Sequence, residues 1–127
     1  MIMSHITKIK TSIVDQKHLL EALHDMGFNA EIGNFEIKDS SDRKYHVDIK
    51  ICLPFSNEIG FRKSDEKFEL VADWFGVIGI KKEKFLNTLH QRYAYHVTRS
   101  MLEEKGFTLI EEVNEKDEIH LILRRVI

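Results

Sequence analysis

The sequence predicts an α+β fold: a mostly antiparallel sheet of about six to seven strands with two amphipathic helices on one face. Three observations carry this expectation. Period-two stretches rich in β-branched and aromatic residues recur along the chain, and two longer stretches follow a helical period. The connections between successive period-two stretches are of hairpin length, which demands antiparallel pairing. The expected order is β-α-β-β-β-β-α-β-β, an elaborated ferredoxin-like sandwich.

Residues 5–14 alternate Thr7, Ile9, Thr11 and Ile13 with Lys8, Lys10 and Ser12, and read as the first strand. Asp15 suits the N-cap of a helix of about twelve residues, whose stripe is Leu19, Leu23 and Met26 with Leu20 at its margin. Gly27 is its expected stop. In the strand at 29–37, Ile32 is out of phase with Phe35 and Ile37, so Gly33 and Asn34 predict a bulge. A polar loop at 38–44 leads to the cleanest strand, 45–53. Tyr45, Val47, Ile49, Ile51 and Leu53 share one face of it, and His46, Asp48, Lys50 and Cys52 the other, before Pro54 ends it. Residues 58–62 and 68–74 form a further hairpin. The second helix spans 82–105, with Phe85, Leu86, Leu89, Tyr93, Val97 and Met101 in one broad apolar sector and Gly106 closing it. A last hairpin joins 107–113 to 119–126. Both helices end in Gly-Phe, glycine supplying the left-handed residue and phenylalanine packing back under the helix end.

The 127 residues suffice for a single domain, and 43% hydrophobic with 31% charged residues is a globular composition. A net charge of −2, from 19 basic and 21 acidic residues, lacks the excess of a dedicated nucleic-acid binder. Cys52 is the only cysteine, which excludes an intramolecular disulfide and a thiolate-rich zinc site. The start, MIMSHITKIK, has no apolar core of signal-peptide length. The longest apolar stretch, around Trp74 to Ile80, is broken by Gly76 and Gly79, so no membrane span or membrane association is expected. The expected compartment is the cytoplasm or an organelle derived from it.

No residue set announces catalysis. His18 and His24 stand six residues apart on the first helix, as do His90 and His96 on the second, and neither pair has the i, i+4 spacing of a helical metal site. His46 and Cys52 share a strand face but lie about 20 Å apart, too far for a dyad. No phosphate loop, dinucleotide fingerprint or nucleophile elbow occurs. The expectation is a non-enzymatic protein with no catalytic residue, no cofactor and no metal site.

The second helix offers more. Thr88, Gln91, Arg92, Tyr95 and Arg99 cluster opposite the apolar sector with Leu102 beside them, a composition suited to a protein interface. Gln91, Arg92, Tyr95 and Arg99 are therefore the candidate docking residues for a protein partner. The alternative is single-stranded nucleic-acid binding, through this face or through a basic stripe of Lys8, Lys10 and Arg124, with Arg125, that forms if the first and last strands are neighbours. A sheet with at least two edges also makes a homo-oligomer an expectation.

Several segments resemble one family: Ser4-His5, Ile9-Lys10-Thr11, Asn57-Glu58-Ile59-Gly60-Phe61, Gln91-Arg92-Tyr93-Ala94-Tyr95-His96, Gly106-Phe107 and Leu121-Ile122-Leu123-Arg124-Arg125. Together they are similar to the DUF1257 family, whose plastid members are the Ycf35 reading frame, in the right order over nearly the whole chain. The family often has aspartate where this chain has Glu58. No biochemical activity comes with the resemblance. It implies an accessory or adaptor protein, with an AAA-type ATPase as partner, and a plastid-stroma location for a plastid-encoded member.

Overall fold

The first strand, β1 (Ile6–Lys10), pairs not with the next strand in sequence but with the fifth, β5 (Lys67–Asp73). The computed structural model describes residues 6–39, 41–54, 56–116 and 118–125. Ser4 and His5, and Val126 at the end of the last expected strand, lie outside the described residues. Between β1 and β5 come helix α1 (Gln16–Asp25) and strands β2 (Ala30–Lys38), β3 (Lys44–Ile51) and β4 (Ile59–Ser64). The five strands form one sheet in the order β1-β5-β4-β3-β2, antiparallel at every pairing. Helix α2 (Lys82–Glu104) follows, and then β6 (Phe107–Glu115) and β7 (Glu118–Arg125). The element order matches the sequence-based expectation, and the fold is α+β.

Local chemistry sets the boundaries. The Thr11 hydroxyl donates to the Phe68 carbonyl at 2.6 Å and accepts from the Ile13 amide at 3.1 Å, so β1 stops at Lys10 rather than running on to residue 14. The Asp15 side chain caps α1 by accepting from Lys17 N at 2.9 Å. At the other end Gly27 takes φ +86°, the Phe28 amide bonds the Leu23 carbonyl, and the Gly27 amide bonds His24. This is a Schellman closure with Phe28 tucked against the core. The bulge expected at Gly33–Asn34 is present as a register shift between Ile32 and Phe35.

Two of the sequence-based expectations need correction. The strands do not join one sheet: β6 and β7 make a separate two-stranded sheet. The reason is length. The 23 residues of α2 span roughly 34 Å at the helical rise, and the returning β6 runs against α2 rather than along the main sheet. Nor does β3 present one uniform apolar face. Ile49 and Ile51 join the main core with Ile59, Phe61, Leu70 and Ala72, where Leu19, Leu23, Phe85 and Leu89 of the helices meet them. Val47 belongs instead to a second cluster, with Ile37 and Val71, against which Ile6, Phe35 and Tyr45 pack. Val71 alternates with Leu70 and Ala72, so this cluster covers the back of the sheet, and the distal end of the β2–β3 hairpin closes over β4 and β5.

Gly60 permits that closure. A Cβ there would lie 2.6 Å from both Ile37 Cδ1 and Val47 Cγ1. Gly60→Ala is expected to lower stability by about 1–3 kcal/mol, read as a fall in the urea midpoint. Thr98→Ala, at an exposed position of α2, should stay within about 0.5 kcal/mol. An unchanged midpoint for Gly60→Ala would mean that the hairpin does not close on this strand.

Candidate functional site

Two structural features meet along α2: a network of charges that binds three elements together, and an open groove beside it. The network is centred on Arg92, whose side chain is only 19% exposed. Its Nη2 lies 2.7 Å and its Nε 2.9 Å from Asp25 Oδ2 on α1, and its Nη1 lies 2.9 Å from Glu112 Oε1 on β6. The guanidinium also stacks 4.3 Å over the ring of Tyr95. His96 completes the junction with α1, Nε2 at 2.6 Å from Asp25 Oδ2 and Nδ1 at 3.1 Å from Glu21 Oε2. Glu21 in turn faces His18 Nδ1 at 2.9 Å, and the two imidazoles lie nearly parallel with centroids 6.5 Å apart. One helical turn of α1 (Glu21, Asp25) therefore meets one turn of α2 (Arg92, His96) through i, i+4 neighbours on each side. Tyr93 adds a neutral tie, its hydroxyl accepting from the Val14 and Asp15 amides at 3.1 Å each.

These contacts relocate the residues that the helical pattern marks for docking. Tyr95 is 7% exposed and its hydroxyl accepts from Arg99 Nη1 at 3.1 Å. Arg99 also pairs with Glu103 at 2.7 Å. Met101, assigned by the pattern to the apolar sector, is 53% exposed. The pattern assumes that one side of a helix is buried, whereas α2 is covered on two, by α1 with the main core and by β6. Arg92 and Tyr95 occupy the β6 side, so they are built into the fold. Gln91 is half-buried on the flank of the groove.

The groove begins where α1 ends. Met26 and Phe28 at the end of α1, Ile80 before α2, and Phe85 on its first turns make an apolar floor beneath a cavity of about 320 Å³. Phe85 is held from both sides, with Phe28 and Trp74 ring centroids each 5.7 Å away. The Trp74 indole donates to the Ile80 carbonyl at 3.1 Å and fixes the approach to the helix. Lys81, Lys84 and Thr88 wall this cavity and also a larger one of about 790 Å³ that reaches Gln91. The rim is basic: Lys81, Lys82 and Lys84 stand against a single first-turn acid, Glu83, and no side chain caps the helix. Lysines at this end oppose the helix macrodipole, so their placement does not serve helix stability. The run Lys81-Lys82-Glu83-Lys84 is visible in the sequence, but its meaning depends on Phe28 arriving beneath it from α1.

The other expected groups stay apart. β1 pairs with β5 and β7 with β6, so strand pairing does not bring Lys8 and Lys10 together with Arg124. Lys8 lies 5.1 Å over the Tyr45 ring. On β3, His46 Nε2 meets Asp48 Oδ1 at 3.0 Å, and Asp48 Oδ2 accepts from the Lys63 amide. Cys52 Sγ lies 3.6 Å from Glu58 Oε2. Among the described residues no cluster of three or more His, Cys, Asp or Glu side chains is placed to hold a metal ion. No described helix is long and apolar enough to cross a membrane.

Residues 22–122 match the family model described as "Protein of unknown function (DUF1257)". The chain belongs to this family. It is 35% identical to the uncharacterized protein ycf35 of Pyropia yezoensis and 34% identical to that of Cyanophora paradoxa, each match covering 97% of this chain and 98% of the relative. No solved structure matches it. The matched segment contains both the Arg92 junction and the groove, from Asp25 to Glu112.

The junction has a pH signature. Burial would raise the Asp25 carboxyl, but hydrogen bonds from His96 and Arg92 outweigh it and hold the group below its ordinary 3.8. Arg92 likewise holds Glu112 below 4.5, against a smaller opposing effect of burial. A carboxyl whose folded-state value is depressed adds stability that is complete above its ordinary value and is lost as pH falls through the folded one. Stability should therefore fall as pH drops below about 4.5. Arg92→Gln should reduce stability at neutral pH by about 1–3 kcal/mol and flatten this acid limb, leaving the part that His96 gives Asp25. Parallel pH–stability curves for the two proteins, measured by urea unfolding, would contradict the assignment.

Proposed function

We propose that the protein is a non-catalytic interaction module that holds an acidic segment of a partner protein, anchored by apolar side chains, in the groove between the end of α1 and the first turns of α2. One observation carries this reading: an apolar floor of Phe28, Ile80 and Phe85 is rimmed on one side by Lys81 and Lys84. Such a surface favours a ligand that combines carboxylates with aliphatic or aromatic anchors. Desolvated apolar contacts would supply most of the affinity, and the lysines would set approach rate and orientation. Gln91 and Arg92, two of the four residues marked in the sequence, border this groove, whereas Tyr95 and Arg99 bond each other and do not line it. An AAA-type ATPase, the partner class implied by the family resemblance, stays within this proposal, as does a cytoplasmic or plastid-stroma location.

The test is affinity purification of the tagged protein from its own host at low salt, with a photo-crosslinking residue at Thr88. The expected result is a stoichiometric protein crosslinked through a segment that mixes Asp or Glu with large apolar residues. Lys81→Glu/Lys84→Glu should abolish the crosslink without lowering the melting temperature, because both lysines are exposed and acids at this helix end suit the macrodipole. Equal capture by the charge-reversed protein, or a crosslinked segment without acidic residues, would overturn the proposal. The same rim would also accept phosphates, so a nucleic-acid absorbance spectrum in the eluate would favour the alternative of nucleic-acid binding.

A further inference from the structure

The β6–β7 hairpin is poorly provided for as an isolated unit. Two-stranded sheets are marginal alone and are normally extended or covered. Here β6 packs on α2, and β7 lies on its far side with its outer backbone edge unpaired among the described residues. The edges of the main sheet are guarded. β1 carries Lys8 and Lys10, and β2 carries charged side chains and the bulge between Ile32 and Phe35. β7 has neither proline nor lysine nor a bulge of its own, since the irregularity of this hairpin is an extra residue on β6 between Leu109 and Glu111. Along β7, Glu118, His120, Ile122 and Arg124 are exposed and Ile119, Leu121 and Leu123 are half-buried. Ile122 is 48% exposed, and Ile110 on the neighbouring strand 58%.

We propose that β7 pairs antiparallel with β7 of a second copy of this chain, joining two hairpins into one four-stranded sheet. The sequence of β7 is self-complementary for this pairing. A two-fold axis normal to a sheet sets residues of the same face opposite one another, and only some registers satisfy that. With Leu121 opposite Leu121 of the second copy, Ile119 meets Leu123 and His120 meets Ile122. Glu118 then meets Arg124, and symmetry repeats the pair. Sliding by one allowed step places Glu118 opposite Ile122 and loses both ion pairs. Arg124 has no ion pair among the described residues, whereas Glu118 has only the neighbouring His120 at 3.2 Å. Apolar side chains at the centre with opposite charges at the two ends give both affinity and register. None of these β7 residues lines the groove.

Sedimentation equilibrium of the full chain tests the proposal, the expected species having twice the 15.0 kDa chain mass. Glu118→Arg and Arg124→Glu should each weaken dimerisation roughly tenfold, because each sets like charges opposite twice. The double charge swap Glu118→Arg/Arg124→Glu should restore wild-type affinity. Both substitutions lie at exposed positions, and unchanged circular dichroism melts of the three variants would confirm that folding is not the cause. A monomeric wild-type chain would overturn the proposal, as would a dimer indifferent to the single reversals or one that the swap fails to rescue.

Discussion

Arg92 is asked to satisfy two carboxylates from elements far apart in sequence, and much of the arrangement beyond the main sheet depends on it. Asp25 ends α1 and Glu112 lies in β6, and the guanidinium lies between them, tying both to α2. Burial of one cation costs free energy that the two carboxylates, the stacked Tyr95 ring and the planar fork of the guanidinium together offset. Lysine in its place would offer a point charge, with neither the paired donors for Asp25 nor a flat surface for Tyr95. The junction thus ties the β6–β7 hairpin to both helices. It also ties α1 to α2 beside the groove that they bound.

The groove and the junction share that dependence. Asp25, Met26 and Phe28 come from a single helix end whose closure is fixed by Gly27, so the charged tie and the apolar floor move together. A partner segment that pushes on Phe28 would therefore press on Asp25 and Arg92, and through Glu112 on β6. The hairpin that presents β7 meets the Arg92 side chain of α2 through that same residue.

What could be read from the sequence followed local rules. The caps of α1 with its Gly27-Phe28 closure, the left-handed Gly106 after α2 and the bulge at Gly33–Asn34 depend on residues a few positions apart, and each is present in the structure. The element order followed from period alone. The pairing of β1 with β5 is a choice among non-local partners that no local pattern specifies. The separation of β6–β7 from the main sheet depends on how far a 23-residue helix carries the chain. For the candidate site the obstacle was more specific. Arg92, Tyr95 and Arg99 form a polar stripe on α2 that resembles a solvated docking face, and the arrival of β6 covers Arg92 and Tyr95 while the Arg99 side chain stays 42% exposed. The lysine run at 81–84 was equally visible, but without Phe28 and Phe85 beneath it there was no floor to give it a purpose.

A double-mutant cycle between Arg92 and Glu112 tests the central claim most directly. Arg92→Ala, Glu112→Ala and the double variant would be compared with the wild type by urea unfolding at neutral pH. If the guanidinium holds the hairpin to the domain, the two substitutions are coupled by about 0.5–3 kcal/mol, and losing the second partner costs little once the first is gone. Strictly additive effects would mean that the contact carries no energy and that the hairpin is held to the domain by other means.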